Sequence, residues 1–337
     1  MKILVIGGTG VISRELVRQL ADSGMETSIV NRGRRSISLP SGVEVLHMDR
    51  KNKEGFAKLF ENRKYDAVID MVAFEEADAR QTVEIFRNKT NQIMIVSSVA
   101  AYERPIRAIP TREDQVTLWK KDTGYTYGYK KAVLERYLNS ESDAGVPITI
   151  IRPSLTFGDG ARNVGVLRQN MGIIERIRRG KPLIMFGDGN HPWSFTFTPD
   201  LARMMIRLLG NRKAIGEAFH LVSQEQNNWL DLYYGFGKIT GKEPELVHIA
   251  SPVLYKQNPE LFGHIYFEKS HSGYFSNTKY LDATGDSFTN MTLDQGLQQL
   301  KESWERDGLQ VDPKLDVMED TMIEAVRRGY EALNSLT

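Results

Sequence analysis

The apolar positions in the first 150 residues fall into short unbroken runs separated by amphipathic stretches. Residues 3–6 are apolar throughout, which predicts a strand buried on both faces. Between 13 and 23, Leu16, Val17 and Leu20 share one face and Gly24 follows, which predicts a helix. Further strands are predicted at 27–30, 43–48, 67–72 and 92–96, with helices at 53–62 and 77–87 between them. Strict alternation of strand and helix implies a parallel sheet covered on both faces. Right-handed crossovers make it doubly wound. A longer helix is predicted over 127–142, its buried side formed by Ala132, Val133, Leu134, Tyr137 and Leu138. A sixth strand follows at 147–151, closed by Arg152 and Pro153.

Beyond that point the pattern loosens. Phe157-Gly158-Asp159-Gly160 and Phe186-Gly187-Asp188-Gly189 are turn signals. Strands are predicted at 195–198 and 218–222, and helices at 229–240 and 292–306. The expected architecture is α/β: a Rossmann-type doubly wound parallel sheet with a smaller C-terminal substrate lobe. The dinucleotide-binding domain is expected at 1–155 plus about 193–225, and the substrate-binding lobe at about 156–192 and 226–330.

Composition narrows the function classes. With 337 residues, 41% of them hydrophobic, the chain can bury a sizeable core. A net charge of +1 gives no electrostatic case for nucleic acid or an anionic membrane as the main partner. There is no Cys, which excludes disulfides, thiolate metal sites and a Cys nucleophile, and fits a reducing compartment. No metal site is expected. No apolar run reaches the length of a membrane span, and the run at 3–6 is too short for a signal sequence. A cytoplasmic setting is expected.

The first strand runs directly into Gly7-Gly8-Thr9-Gly10-Val11-Ile12-Ser13. Glycine lets the backbone turn sharply and approach a phosphate. The helix that follows directs its free N–H groups and positive end at the anion. Gly7 is expected to make the tight turn and Gly10 to admit the pyrophosphate. Ser13 stands where a third glycine usually permits close helix–strand packing. The second strand ends in Val30-Asn31-Arg32-Gly33-Arg34-Arg35, without the carboxylate that reads a ribose 2′-hydroxyl. Arg32, with Arg34 or Arg35, suits a 2′-phosphate, so NADP is expected, with NAD as the alternative. Asp49 ends the third strand, where it faces the adenine amino group. Met71, Val72 and Ala73 at the end of the fourth strand, Ser97 after the fifth and Pro153 after the sixth complete the candidate cofactor contacts.

Ser97-Ser98 and Tyr127-Gly128-Tyr129-Lys130-Lys131 supply a proton-transfer set. A phenol has a pKa near 10 and is a poor base at neutral pH, but a nearby ammonium favours its phenolate. Tyr127 and Lys131 are four apart on one predicted helix and share a face. Tyr127 is the candidate acid/base and Lys131 its tuning partner, reaching also the nicotinamide ribose. Ser98 is the candidate holder of the substrate oxygen.

These segments, with Glu135 and Ile151-Arg152-Pro153, resemble the extended or atypical short-chain dehydrogenase/reductases of the NAD-dependent epimerase/dehydratase family. Gly187-Asp188-Gly189, Phe197 to Ala202 and Phe275 to Lys279 are similar to later segments of that family. The resemblance implies a nucleotide-sugar epimerase, dehydratase or reductase, with Ser98, four before Tyr102, as the catalytic serine. It also implies a homodimer through the helix carrying Tyr127. Met71-Val72-Ala73-Phe74 departs from the family's His-Leu-Ala-Ala type. Val99 and Ala100 follow Ser98 where dehydratases place an acid, which disfavours 4,6-dehydration. Arg152, Asn163, Arg168, Arg176 and His191 are candidates for substrate phosphate or sugar hydroxyls. The Asn31-Arg32-Gly33 end of the second strand also resembles the chloroplast stem-loop-binding proteins, some of which bind RNA. The alternative is therefore a dinucleotide-sensing or RNA-binding protein without turnover, supported by the basic run from Arg176 to Lys181.

Overall fold

Seven parallel strands make the main sheet of the protein, described by a computed structural model covering residues 1–34, 37–162, 164–167 and 170–335. The first six are β1 (Lys2–Ile6), β2 (Glu26–Asn31), β3 (Glu44–His47), β4 (Ala67–Asp70), β5 (Ile93–Val96) and β6 (Ile148–Arg152). Next come the short strands β7 (Leu155–Phe157), β8 (Leu183–Phe186), β9 (Pro192–Trp193) and β10 (Phe195–Phe197), and then β11 (Glu217–His220). The order across the sheet is β11-β6-β5-β4-β1-β2-β3, so the winding reverses between β1 and β4. Open α/β sheets bind ligands at such a switch point, outside the carboxyl ends of the strands.

Both faces are covered at the middle of the sheet, which is why β1 and β5 read as nearly unbroken apolar runs, whereas the edge strand β3 is largely exposed. On one face Ile3, Val5, Ile29, Ile69, Met94, Ile151 and Phe219 pack with Leu16, Val17 and Leu20 of helix α1 (Val11–Asp22). On the other, Leu4, Ile6, Val68, Ile93, Ile95 and Ile150 meet three more helices. These are α2 (Lys53–Leu59), α3 (Glu76–Phe86) and α4 (Thr126–Asp143), contributing Phe56, Val83, Phe86, Leu134 and Leu138.

The chain divides into two compact units. The first comprises 1–158, 195–224 and 275–290; the second comprises 159–194, 225–274 and 291–337. Phe275–Asn290, expected in the second lobe, thus returns to the first unit, where Tyr280 is fully buried in the core. In the second unit α5 (Met171–Arg179) is amphipathic, β8 pairs in parallel with Leu246–Ile249, and Trp193, Trp229 and Trp304 are buried. The strand expected at 195–198 ends at Phe197. Thr198 opens helix α6 (Thr198–Arg207), because Pro199 suits a first helical turn. Among the described residues no helix is long and apolar enough to cross a membrane.

Candidate active site

The turn after β1 depends on two glycines with left-handed backbone. Gly7 has φ +117° and donates its N–H to the Val30 carbonyl at 2.9 Å. Gly8 has φ +90°, and a Cβ there would lie 2.9 Å from Ile29. A side chain at Gly8 is therefore both strained and obstructed. Gly8 packs against β2 and does not border the groove beside the loop, unlike Gly7, Thr9, Gly10, Val11 and Ile12. Ser13 does more than fill a small space. Its Oγ accepts the Gly10 N–H at 2.8 Å, so the loop is closed onto the first turn of α1. The other first-turn N–H groups of α1 have no intrahelical acceptor and suit an anion.

The groove has a volume of about 740 Å³, within the range of ligand pockets. It runs from the glycine loop past Asn31, Arg32, Arg34 and Asp49 on one side to Met71, Val72, Phe74 and Val96 on the other. Asn31 closes β2 and its side-chain oxygen takes the Gly33 N–H at 2.7 Å; Arg32 is exposed, and the segment from Val30 to Arg34 carries no carboxylate. One oxygen of Asp49 accepts from the Lys51 N–H at 3.0 Å. Arg35 lies outside the described residues.

Sequence reasoning missed Arg50, which holds the groove's floor. Its guanidinium pairs with Asp70 at 3.0 Å and donates to the Asp78 carbonyl at 2.6 Å and Thr82 at 3.1 Å. The fully buried Asp70 also accepts from the Val72 N–H at 2.9 Å, fixing the segment after β4. An acid ending an otherwise apolar strand was the available signal.

The candidate catalytic residues come from two touching segments. Ser98 caps a short helical turn, Val99–Ala101, its Oγ accepting from the Ala100 N–H at 3.1 Å. Helix α4 lies against that turn because residue 128 is glycine: a Cβ there would stand 2.5 Å from the Ala100 carbonyl oxygen. Tyr127, one residue earlier, is 45% exposed, with its ring edge-on to Tyr125 at 6.3 Å. Lys131, one turn later, is only 3% exposed. Its ammonium donates to the carbonyls of Ala73 at 2.7 Å and Val96 at 2.9 Å, and stands 5.5 Å from the Phe74 ring centre. Burial pushes Lys131 down to about 8, against the opposing pull of Asp70, Glu135 and Asp78. An ammonium has three donors, so one is left for a ligand.

Ala73, Ser97 and Pro153 sit behind the groove rather than along it. Ala73 offers its carbonyl to Lys131, and Pro153 offers its own to the Val99 N–H at 3.1 Å. The Ser97 hydroxyl is buried, with no partner among the described residues.

The candidates for substrate groups are mostly engaged elsewhere. Arg152 is buried in an ion pair with Glu135 at 2.5 Å. In the second unit, Arg176 is buried against Asp316 at 2.7 Å, Asp320 at 2.8 Å and Glu319 at 3.2 Å, so it is a structural cation. His191 lies 2.5 Å from the Lys269 carbonyl, and burial lowers its pKa. Asn163 and Arg168 lie outside the described residues. The basic run is neutralised locally: Arg178 pairs with Glu175 and Glu305, Arg179 with Glu175, and Lys181 with Asp316 and Asp320. Among the described residues no cluster of His, Cys, Asp or Glu is placed to hold a metal ion.

Comparison with known proteins adds four findings. The model of the NAD-dependent epimerase/dehydratase family matches residues 3–221. The 2′-dehydrokanamycin reductase of Streptomyces kanamyceticus is 26% identical over 69% of this chain. The 41 kDa chloroplast stem-loop binding protein b of Arabidopsis thaliana is 26% identical over 73%. The chain spans 65% of the length of each of these two relatives. The UDP-glucuronic acid 4-epimerase of Bacillus cereus, solved with UDP-glucuronic acid and NAD, superimposes with a TM-score of 0.71. That match covers 91% of this chain and 99% of the epimerase; at 20% identity the likeness is one of fold.

Proposed function

Because this chain belongs to the NAD-dependent epimerase/dehydratase family, we propose that it is an NAD(P)-dependent epimerase or reductase of a nucleotide sugar or related hydroxyl or carbonyl compound. One observation carries this reading. The ammonium of Lys131 is bonded to Ala73 and Val96, and the groove beside the glycine loop ends at Val72, Phe74 and Val96. The Tyr-x-x-x-Lys helix is thus tied to the end of the groove farthest from Arg32.

The groove fits a dinucleotide: glycines at its narrow turn, free N–H groups at the start of α1, and cations where a ribose phosphate would lie. When bound there, a nicotinamide dinucleotide supplies a hydride donor or acceptor. Tyr127 transfers the proton at the substrate oxygen, and Ser98 holds that oxygen by a hydrogen bond. Lys131 favours the phenolate and gives its third donor to the ribose. Val99 and Ala100, both buried and apolar, offer no carboxyl to protonate a leaving hydroxyl. That supports epimerisation or reduction over elimination. The rival RNA-binding reading drew on the run from Arg176 to Lys181, whose charges are taken up by neighbouring acids. A homodimer through α4 stays part of the proposal on the family's account, and the cysteine-free composition supports a cytoplasmic setting.

The test is hydride transfer between NADP(H) and a panel of nucleotide sugars and small carbonyl compounds, followed by the absorbance of the reduced nicotinamide. An epimerase returns its hydride within each cycle, so the products are also examined for the epimer; neither net transfer nor epimer formation with any of them favours the reading without turnover. NADP preference is tested by Arg32→Ala: NADP affinity is expected to fall by roughly ten- to a hundred-fold, the loss of a charge-assisted contact, with NAD affinity unchanged. Calorimetric titration with both dinucleotides measures it, and tighter NAD binding by the unaltered protein sets the basic loop aside.

Lys131 also gives binding a pH signature. With its pKa lowered to about 8, it carries its charge below that pH and loses it above, well before an ordinary lysine does. Dinucleotide affinity is therefore expected to weaken as pH rises through 8. The same titrations on Lys131→Met should show weaker, pH-independent binding across that interval.

A further inference from the structure

Behind Ser98, within the first unit, runs a buried polar chain that the chemistry above does not use. β11 and β6 are parallel neighbours with His220 in register with Arg152, so both side chains leave the same face of the sheet. Arg152 donates to Glu135 on α4 through Nε and Nη2, and through Nη1 to the Tyr102 hydroxyl oxygen at 2.9 Å. That oxygen lies 2.5 Å from His220 Nε2, and His220 Nδ1 lies 3.1 Å from the Ser276 carbonyl. A carbonyl only accepts, so Nδ1 carries the ring proton and Nε2 is the bare nitrogen. Tyr102 must therefore accept from Arg152 and donate to His220. Burial, with Arg152 close by, holds the ring to about 3, so it is neutral at ordinary pH as this direction of bonds requires. Glu113 completes the surroundings, accepting the His220 backbone N–H at 2.7 Å.

The chain touches both catalytic segments. The Tyr102 N–H bonds the Val99 carbonyl at 3.2 Å and ends the turn that Ser98 caps. Glu135 stands one helical turn after Lys131 on α4. We propose that His220 is a positioning residue: by accepting the Tyr102 hydroxyl proton it holds Tyr102, and with it the turn that aims Ser98 at the substrate oxygen. The inference rests on the reading of Ser98 as the holder of that oxygen.

The experiment is a mutant cycle read by single-turnover hydride transfer, using whichever nucleotide sugar the unaltered protein turns over. His220→Leu removes both ring nitrogens, Tyr102→Phe removes only the hydroxyl, and His220→Gln keeps an amide oxygen near the Nε2 position. The Leu and Phe variants are expected to slow transfer about tenfold, a typical coupling between neighbouring groups, with dinucleotide affinity unchanged. In a Ser98→Ala background neither change should slow it further, and His220→Gln should recover most of the rate. A merely structural role would slow transfer equally with and without Ser98. That outcome, or an unchanged rate in the Leu and Phe variants, overturns the proposal. If His220→Leu fails to fold, the Tyr102→Phe and His220→Gln arms decide. Failure of the underlying reading shows separately, as a Ser98→Ala variant that keeps the wild-type rate.

Discussion

Tyr127→Phe is expected to slow turnover by about 10²–10⁴-fold while leaving the fold and dinucleotide affinity near those of the unaltered protein. The substitution removes one oxygen from a half-exposed ring at the first turn of α4 and leaves its contact with Tyr125 in place. The ring is about half exposed, so a loss of rate without a loss of stability is diagnostic. Steady-state hydride transfer beside calorimetric titration of the dinucleotide makes the comparison. A variant turning over at the wild-type rate moves the assignment to Tyr125 or Tyr129. Of those two, Tyr125 is buried and Tyr129 only half-buried, so Tyr129 would be examined first.

The largest effect on stability is expected at Arg152. Its partner Glu135 is fully buried, and three hydrogen bonds of 2.5–3.1 Å join them. Arg152→Met leaves that carboxylate without a counter-charge and takes a donor from Tyr102, which should destabilise the first unit by about 3–5 kcal/mol. Replacing both members, Arg152→Met with Glu135→Leu, removes the stranded charge and should recover much of the loss. Denaturant midpoints of the single and double variants measure this. A double variant no better than the single one would mean that the pair stabilises beyond simple charge compensation.

The legibility of the sequence followed burial. Strands β1, β4, β5 and β6 are sealed on both faces, so apart from Thr149 and the terminal Lys2, Asp70 and Arg152 their side chains are apolar and could be read directly. The glycine loop was legible because its backbone demands glycine at 7 and 8. What stayed hidden were groups whose meaning depends on a distant partner. Arg50 looks like a loop cation until Asp70 is beside it, 20 residues away. Arg176 looks like part of a basic surface until a C-terminal helix, Pro313–Asn334, brings Asp316, Glu319 and Asp320 to it. Ser13 was read as a small residue, whereas its hydroxyl is the useful part. His220 carried no motif. Its partners come from residues 102, 113 and 276, which no local pattern joins.

The return of Phe275–Asn290 to the first unit bears on how the chain is made. A ribosome releases residues in order, and most domains fold as they emerge. Here the last piece of the first unit leaves only after residues 159–194 and 225–274, which belong to the second. Until then the core lacks Tyr280, and His220 lacks the Ser276 carbonyl that fixes its ring proton. The seven-stranded sheet is complete once His220 has emerged, but the core on one of its faces waits for Tyr280, so a chain stopped at Tyr274 would leave both cores unfinished.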